Sequence, residues 1–460
     1  MTMRESKGIS LHIGSIFKER VFFSRVLLDL MIFFYFLTLS GELLNVPLGI
    51  FKPRANHIFA ILLMFYTFRS KKRVVIDKEL VIPFFALFVS FFISGVLGDY
   101  VLRSLGYTCI YLFTITCYFI VPYNLFIFFG GDRVFKIYMM SFLVLGVYSL
   151  MQVVFSFGGI FLPFVTQYAG SIARGQGWNY EPSYYALMMT QFVMFYNSLA
   201  LMSTDKKINW IYFAFVNLLL IVSTSTGIVL SYPSFALLYL LAGSVGFLKN
   251  IITNVKKKAM QLILFFISSM ALLWIMFPLE FIRTFYKFFD YGITKHWSVV
   301  ERWNGIVNAS QVFIEHPFFG VGVGGVGSYI YKLKENGCIP MTLRELEKYD
   351  PTNALTEIAA SVGIFGLLAY LLLARSFWIV FKRVINEKNN VSLHHKRVIV
   401  SLFISLVSAL FVLQFNQGLF RSYLWVHAAV VFGYMRYIQS LYAKGPLDRE
   451  GQNIKNKEGL

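Results

Sequence analysis

Twelve apolar runs alternate with short polar segments along this chain: 26–44, 57–68 with its flanks, 80–97, 107–121, 137–158, 183–203, 209–222, 228–247, 259–278, 353–381, 399–415 and 422–440. Crossing a bilayer's hydrocarbon core takes about 20 mostly apolar residues in a helix. The second and seventh runs are short of that. Composition agrees: hydrophobic residues make up 57% of the 460 and charged residues 14%, against roughly 25% charged in an ordinary soluble domain. Even a large soluble core leaves much of a chain exposed, so it could not hide this much apolar surface. The sequence predicts an all-α polytopic membrane protein with about 12 transmembrane helices. It excludes a secreted, disordered or nucleic-acid-binding chain.

Charge sets the orientation. The net charge of +19 comes from bases gathered in short loops, which is how cytoplasmic loops are marked. With the N-terminus inside, the inside segments (1–25, 69–78, 122–136, 204–209, 248–258, 381–397 and 436–460) carry 28 Lys and Arg. The short outside segments (41–56, 99–106, 159–182, 223–227 and 416–421) carry five. Both termini are therefore expected inside: 1–25 as a cytoplasmic N-terminus, 26–440 as the membrane domain, and 441–460 as a polar cytoplasmic tail. The first apolar run has no small-residue cleavage site and reads as a retained anchor. Cys109 and Cys117 lie about 12 Å apart on one helix, too far for a bridge. No metal-ligand spacing involves them or Cys338.

Two outside segments stand out. Residues 159–182 form a moderate loop. Residues 279–352, between the ninth and tenth spans, exceed any ordinary connection and carry eight acids, eight bases and the aromatics Trp297, Trp303, Phe318 and Phe319. An ordered lid or subdomain is expected there.

Three constellations could carry chemistry. In the first, Arg174 lies seven residues before Glu181-Pro182-Ser183-Tyr184. Pro182 suits the first turn of a helix, so Glu181 sits near the positive end of its dipole. This is either a capped helix start with Arg174 nearby by chance, or a phosphate clamp beside an acid–base group. In the second, Glu301-Arg302-Trp303 opens a helical stretch that ends at Glu315-His316-Pro317-Phe318-Phe319-Gly320-Val321-Gly322-Val323-Gly324. Residues 322–327 match GxGxxG, but no strand precedes them, so a dinucleotide site is rejected. The glycines instead permit a tight turn that brings backbone close to a ligand or another segment. His316 reads as a structural turn residue or as a base. In the third, Asp350 and Asn353 lead into a span in which Glu357 lies one turn deeper, and Gly363 and Gly366 allow close helix packing. Loop charge alone puts all three constellations on one membrane face.

In this order, Arg174…Glu181-Pro182-Ser183, Arg302-Trp303…His316-Pro317…Gly320-x-Gly322-x-Gly324 and Asn353…Gly363-Ile364-Phe365-Gly366 resemble the O-antigen ligase/polymerase superfamily over roughly residues 170–435. The resemblance implies a GT-C-like glycosyltransferase of the bacterial inner membrane. It implies donors that are oligosaccharides on a polyprenyl (undecaprenyl) diphosphate, an active site on the periplasmic face, and a chain-length regulator as partner. Ligases of the family carry a His-Asn pair at the start of the late span. Here the pair is Thr352-Asn353, and Ser361 stands where many relatives have Glu. Glu-Pro-Ser is more similar to the polymerases. The expected activity is polymerisation of repeat units into O-antigen or capsule. A ligase acting on lipid A-core is the alternative within the family, and a lipid-linked-glycan flippase is the alternative from another class.

Such a reaction releases a diphosphate anion. The outside loops carry no DxD pair, so neutralisation is expected from Arg174 and Arg302, with no metal or cofactor. Glu181 is the first candidate for the base that orients the acceptor and Asp350 the second. Tyr184, His316, Gly322, Asn353 and Glu357 are expected to support the site.

Overall fold

Peptide groups in lipid have no water to bond, so every spanning segment must satisfy its backbone internally. A computed structural model gives the fold and describes residues 25–45, 53–71, 74–169, 172–203, 210–249, parts of 251–267, 297–337, 353–386, 391–415 and 420–443. These form helix α1 (25–37), α2 (Ala55–Lys71), α3 (Lys78–Leu97), α4 (Val101–Phe129), α5 (Gly131–Phe157), α6 (Pro182–Met202), α7 (Trp210–Ile221) and α8 (Thr226–Ser244). They continue as α9 (Trp297–Glu315), α10 (Val326–Glu335), α11 (Ala354–Asn386), α12 (Leu393–Val412) and α13 (Ser422–Ala443). The sheet among the described residues is one hairpin, β1 (Tyr168–Ala169) against β2 (Ile172–Ala173).

The chain is an all-α membrane protein. Five described helices are long and apolar enough to cross a bilayer: α3, α4, α5, α11 and α12. The twelve expected spans are thus not all of that kind. The seventh is the 12-residue α7, about 18 Å long and too short to cross alone. The sixth, α6, is diluted by buried Gln191, Asn197 and Ser198. Most of the ninth lies outside the described residues, as do most of 1–25, 279–296, 338–352 (with Cys338, Asp350 and Thr352) and the tail beyond 443.

α12 packs along α6, α11 along α3, and α13 along the second half of α4. Small residues permit the close approach. Ser401, Ser405, Ser408 and Ala409 are buried on α12. A Cβ on Gly433 of α13 would stand 3.1 Å from both the Phe126 side chain and the Tyr123 carbonyl. Buried polar groups are matched across helices. Ser405 donates to the Leu402 carbonyl, so it must accept from His427 Nε2–H, which leaves His427 Nδ1 to accept from the Tyr138 hydroxyl at 2.9 Å. In α4 the π-wound segment Ile115–Ile120 lets the Cys117 carbonyl accept from the Tyr35 hydroxyl at 2.8 Å, the kind of freed group a π-turn leaves.

The loops sort to two ends. At one, Asp29 pairs with Arg133, Glu79 with Arg383 and Asp77 with Arg436. At the other, termed here the site end, Leu43 bonds Trp178, Gly175 bonds Val222, and the Asn353 amide donates to the Gln414 carbonyl. The segments that loop charge assigns to one face therefore meet at one end of the bundle.

α11 is a broken helix. Gly363 has φ 67° and ψ −162° inside it, so the Gly363-x-x-Gly366 pattern is a break rather than the packing surface expected. From Gly363 to Phe381 the helix rises about 28 Å, close to the hydrocarbon thickness. Ala354–Val362 forms the short arm of α11 before the break.

Candidate functional site

Three site-end segments supply one charged cluster. Glu42 follows the 3-10 turn Thr38–Ser40. Arg54 immediately precedes α2. Arg421 immediately precedes α13. Glu42 Oε1 pairs with Arg421 and stands 3.6 Å from Arg54 Nη1. Its Oε2 accepts from the Tyr180 amide at 3.3 Å, and the Arg421 guanidinium lies 3.7 Å from the centre of the Tyr184 ring. The cluster is deeply set: the side chains of Glu42 and Arg421 keep only 9% and 19% of their exposure, whereas Arg54 keeps 38%. Burial opposes the Arg421 charge. Tyr423, Glu42 and Tyr184 more than offset it, and the pKa of Arg421 is raised. The buried Tyr423 hydroxyl has no hydrogen-bond partner among the described residues.

Glu181 adjoins this cluster. Pro182 opens α6 with Glu181 as its extended flanking residue. Ser183 Oγ donates to Glu181 Oε2 at 2.9 Å, and Glu181 acts electrostatically on both Tyr184 and Arg174. The structure thus brings Arg174, Glu181 and Tyr184 together and adds Glu42, Arg54, Arg421 and Tyr423.

Arg174 is arranged differently from the expectation of a guanidinium turned to a ligand. Its Nε donates to Ser223 O and Thr224 Oγ1, its Nη1 to Gln167 Oε1 at 3.1 Å and its Nη2 to Thr224 O at 3.1 Å. Three directions of the fork are spent on holding the 222–225 loop against the hairpin. Burial lowers its pKa, and Glu181 partly restores it. The rest of loop 158–181 is fixed by two buried glutamines. Gln152 accepts from the Gln176 and Gly177 amides, and Gln176 donates to the Phe164 and Asn179 carbonyls. Replacing Arg174 with Lys should free the hairpin, because one ammonium cannot span these acceptors. Limited proteolysis should then cut within 158–181 faster than in the unmodified protein, and an unchanged rate would deny Arg174 this pinning role.

The second constellation forms its own group. Tyr329 on α10 donates to Glu315 Oε2 at 2.9 Å. Having spent its only proton, Tyr329 must accept from His316 Nε2–H, also at 2.9 Å. In the neutral ring that bond selects the Nε2–H tautomer. Burial and the Glu315 carboxylate push the Tyr329 pKa up to about 12. His316 is therefore an oriented imidazole, held through Tyr329 by a carboxylate. Arg302 lies on the same helix α9, half-buried, 13 residues before Glu315 and so about 20 Å along the axis from this group. Gly322 (φ +92°) approaches Ser104, and Gly320 (φ +65°) approaches Ser361, so the glycine turn comes close to another segment of the chain itself. Phe420, next to Arg421, packs on Tyr107 at 5.6 Å, and Tyr107 lies against Gly324. That contact path joins the two groups. Asn353 caps α11, its Oδ1 accepting the Leu355 and Thr356 amides. Glu357 lies one turn along α11 and donates its amide to the Asn353 carbonyl. Asp350 lies outside the described residues.

Among the described residues no group of three or more His, Cys, Asp or Glu is placed to hold a metal ion. No family model and no curated protein matches the chain.

Proposed function

We propose that this chain is a metal-independent glycosyltransferase of the bacterial inner membrane. It polymerises polyprenyl-diphosphate-linked oligosaccharide repeat units at the periplasmic face, with about twelve spans in a GT-C-like arrangement and both termini cytoplasmic. The observation that supports this reading most is the convergence of Arg54, Arg421 and Arg174 with Glu42 and Glu181, from separate loops, at one end of the bundle. A departing diphosphate needs cations held ready where its charge develops. A guanidinium fork matches phosphate oxygens without help from a metal. Arg54, more exposed than Arg421, meets the diphosphate first, and Arg421, clamped on Tyr184, completes the cationic wall. Glu181 is placed to orient the acceptor hydroxyl. The oriented His316 is the second group able to take a proton.

The transporter alternative would use the broken α11, since transporters bind cargo at interrupted helices. Here the freed Ala360 and Ser361 carbonyls are already taken by Val321 N, Gly322 N and Ser94 Oγ, which favours the enzyme. Removing the protein from its host and resolving lipopolysaccharide on a gel tests the reading. Core bearing a single repeat unit is expected. Core with no repeat would make the chain a ligase. Purified protein that moves labelled lipid-linked units between leaflets without lengthening them would make it a transporter.

A further inference from the structure

We propose that α9 lies in the membrane interface at the site end, with its outer face seated in bilayer lipid, so that the soluble-looking long loop is partly a lipid-bound structure. The argument begins with the sequence of α9. At about 100° per residue, Trp303, Val307 and Ile314 fall within about 40° of one another, with Ile306 and Phe313 beside them. These three are exposed to 64%, 48% and 69%. Ser310, the polar residue among them, turns its hydroxyl back to the Ile306 carbonyl at 2.8 Å. The opposite face is also apolar but buried: Ala309 and Val312 pack with Val321, Val326, Ile330 and Ala360. The polar residues Asn304, Gln311 and Glu315 form a flank between these faces. A helix that buries one apolar face and exposes another has two apolar surroundings, and water is a poor candidate for the second.

Continuity identifies the second surrounding. Just past α9, Phe318 and Phe319 are exposed to 62% and 40%. The Phe319 ring stacks on Phe365 at 5.4 Å. Phe365 begins the exposed stripe Phe365, Leu368 and Leu371 of α11, a spanning helix whose exposed stripe faces lipid. The apolar surface therefore runs without a break from the lipid face of α11, through Phe319 and Phe318, onto α9. Trp and Phe at the end of such a surface suit the headgroup boundary, where an aromatic ring can bury its face and keep a polar edge wet. Amphipathic helices bind interfaces in this way. The occupant is bilayer lipid, and the proposal stands whether or not the chain is a glycosyltransferase.

Spin labels at single cysteines test it in the full-length protein reconstituted into phosphatidylethanolamine–phosphatidylglycerol liposomes, after Cys109, Cys117 and Cys338 are replaced by Ser. Labels at Trp303→Cys, Val307→Cys and Ile314→Cys should collide with oxygen several-fold more often than with a water-soluble nickel chelate, as should the lipid-facing control Leu368→Cys. Labels at Asn304→Cys and Gln311→Cys should show the reverse preference. Chelate access at 303, 307 and 314 matching that at 311 would place this face in water and overturn the proposal. Labels there shielded from both reagents would show that protein covers the face, and would overturn it equally.

Discussion

Replacing Arg421 with Ala should abolish polymer while Glu181→Gln leaves the protein equally abundant but poorly active. Arg421 is largely buried, pairs with Glu42 and lies over Tyr184. As the deeper cation of the proposed diphosphate wall, it would act where charge develops on the leaving group. Losing one such donor costs about 10²- to 10³-fold in rate. Arg421→Lys keeps the charge but loses the fork and the flat stacking surface, so it should restore only part of the polymer.

Stability must be separated from chemistry. Removing one partner of a buried ion pair leaves the other stranded, at a cost of about 3–5 kcal/mol. Arg54, 3.6 Å from Glu42, softens that cost without cancelling it. The double variant Arg421→Ala with Glu42→Gln removes both charges and should recover protein level and thermal stability. If the cluster binds the donor, that variant still makes no polymer. Polymer of near-normal length from it would reduce Arg421 to a loop fastener.

How the cluster arose shows what a sequence can and cannot reveal. The alternation of apolar runs and the sidedness of basic loops were legible, because both are local statistics of solvent preference. The helix start at Pro182 was legible for the same kind of reason, and the structure puts α6 there. The Glu42–Arg421 pair was not, because its members lie 379 positions apart, each a single charge in a short loop. A signal did exist. Outside the long loop, five bases fall in the segments that loop charge assigns to the outside: Lys52, Arg54, Arg103, Arg174 and Arg421. Each runs against the charge rule and so needs a reason to be there. Three of the five meet in one cluster. Buried Gln152 and Gln176, which order loop 158–181, gave no such signal, since a lone glutamine near a span end has no distinctive spacing. The break at Gly363 was missed because two glycines three apart in an apolar run also suit helix packing. Only the partner segment decides between those roles, and it comes from 317–322.

That interlock carries the second large prediction: Gly363→Ala should detach the glycine turn from α11. At φ 67° and ψ −162° Gly363 occupies backbone space that is essentially reserved for glycine. A Cβ there would stand 2.2 Å from the Phe318 carbonyl oxygen, a backbone atom that cannot swing away. Three backbone hydrogen bonds depend on this fit: Val321 N to Ala360 O at 3.1 Å, Gly322 N to Ser361 O at 2.9 Å and Ile364 N to Pro317 O at 2.8 Å. Ser94 Oγ adds a fourth to Ser361 O at 2.7 Å. The strained backbone alone costs about 1–3 kcal/mol, and parting the segments leaves the Ala360 carbonyl and the Ile364 amide without these partners, at a further cost of about 1–3 kcal/mol each. Thermal unfolding in detergent should therefore fall by several degrees, and protease should reach 316–325. Gly320→Ala (φ +65°), whose Cβ would meet the Ser361 backbone at 2.3 Å, should behave the same way because it breaks the same contact from the other side. Gly106→Ala in α4 is the control. It has open space within 4 Å and a helical backbone, so it should be neutral or slightly stabilising. If Gly363→Ala melts and resists protease like the Gly106 control, the turn does not hold α11, and the position of His316 at this end rests on something else.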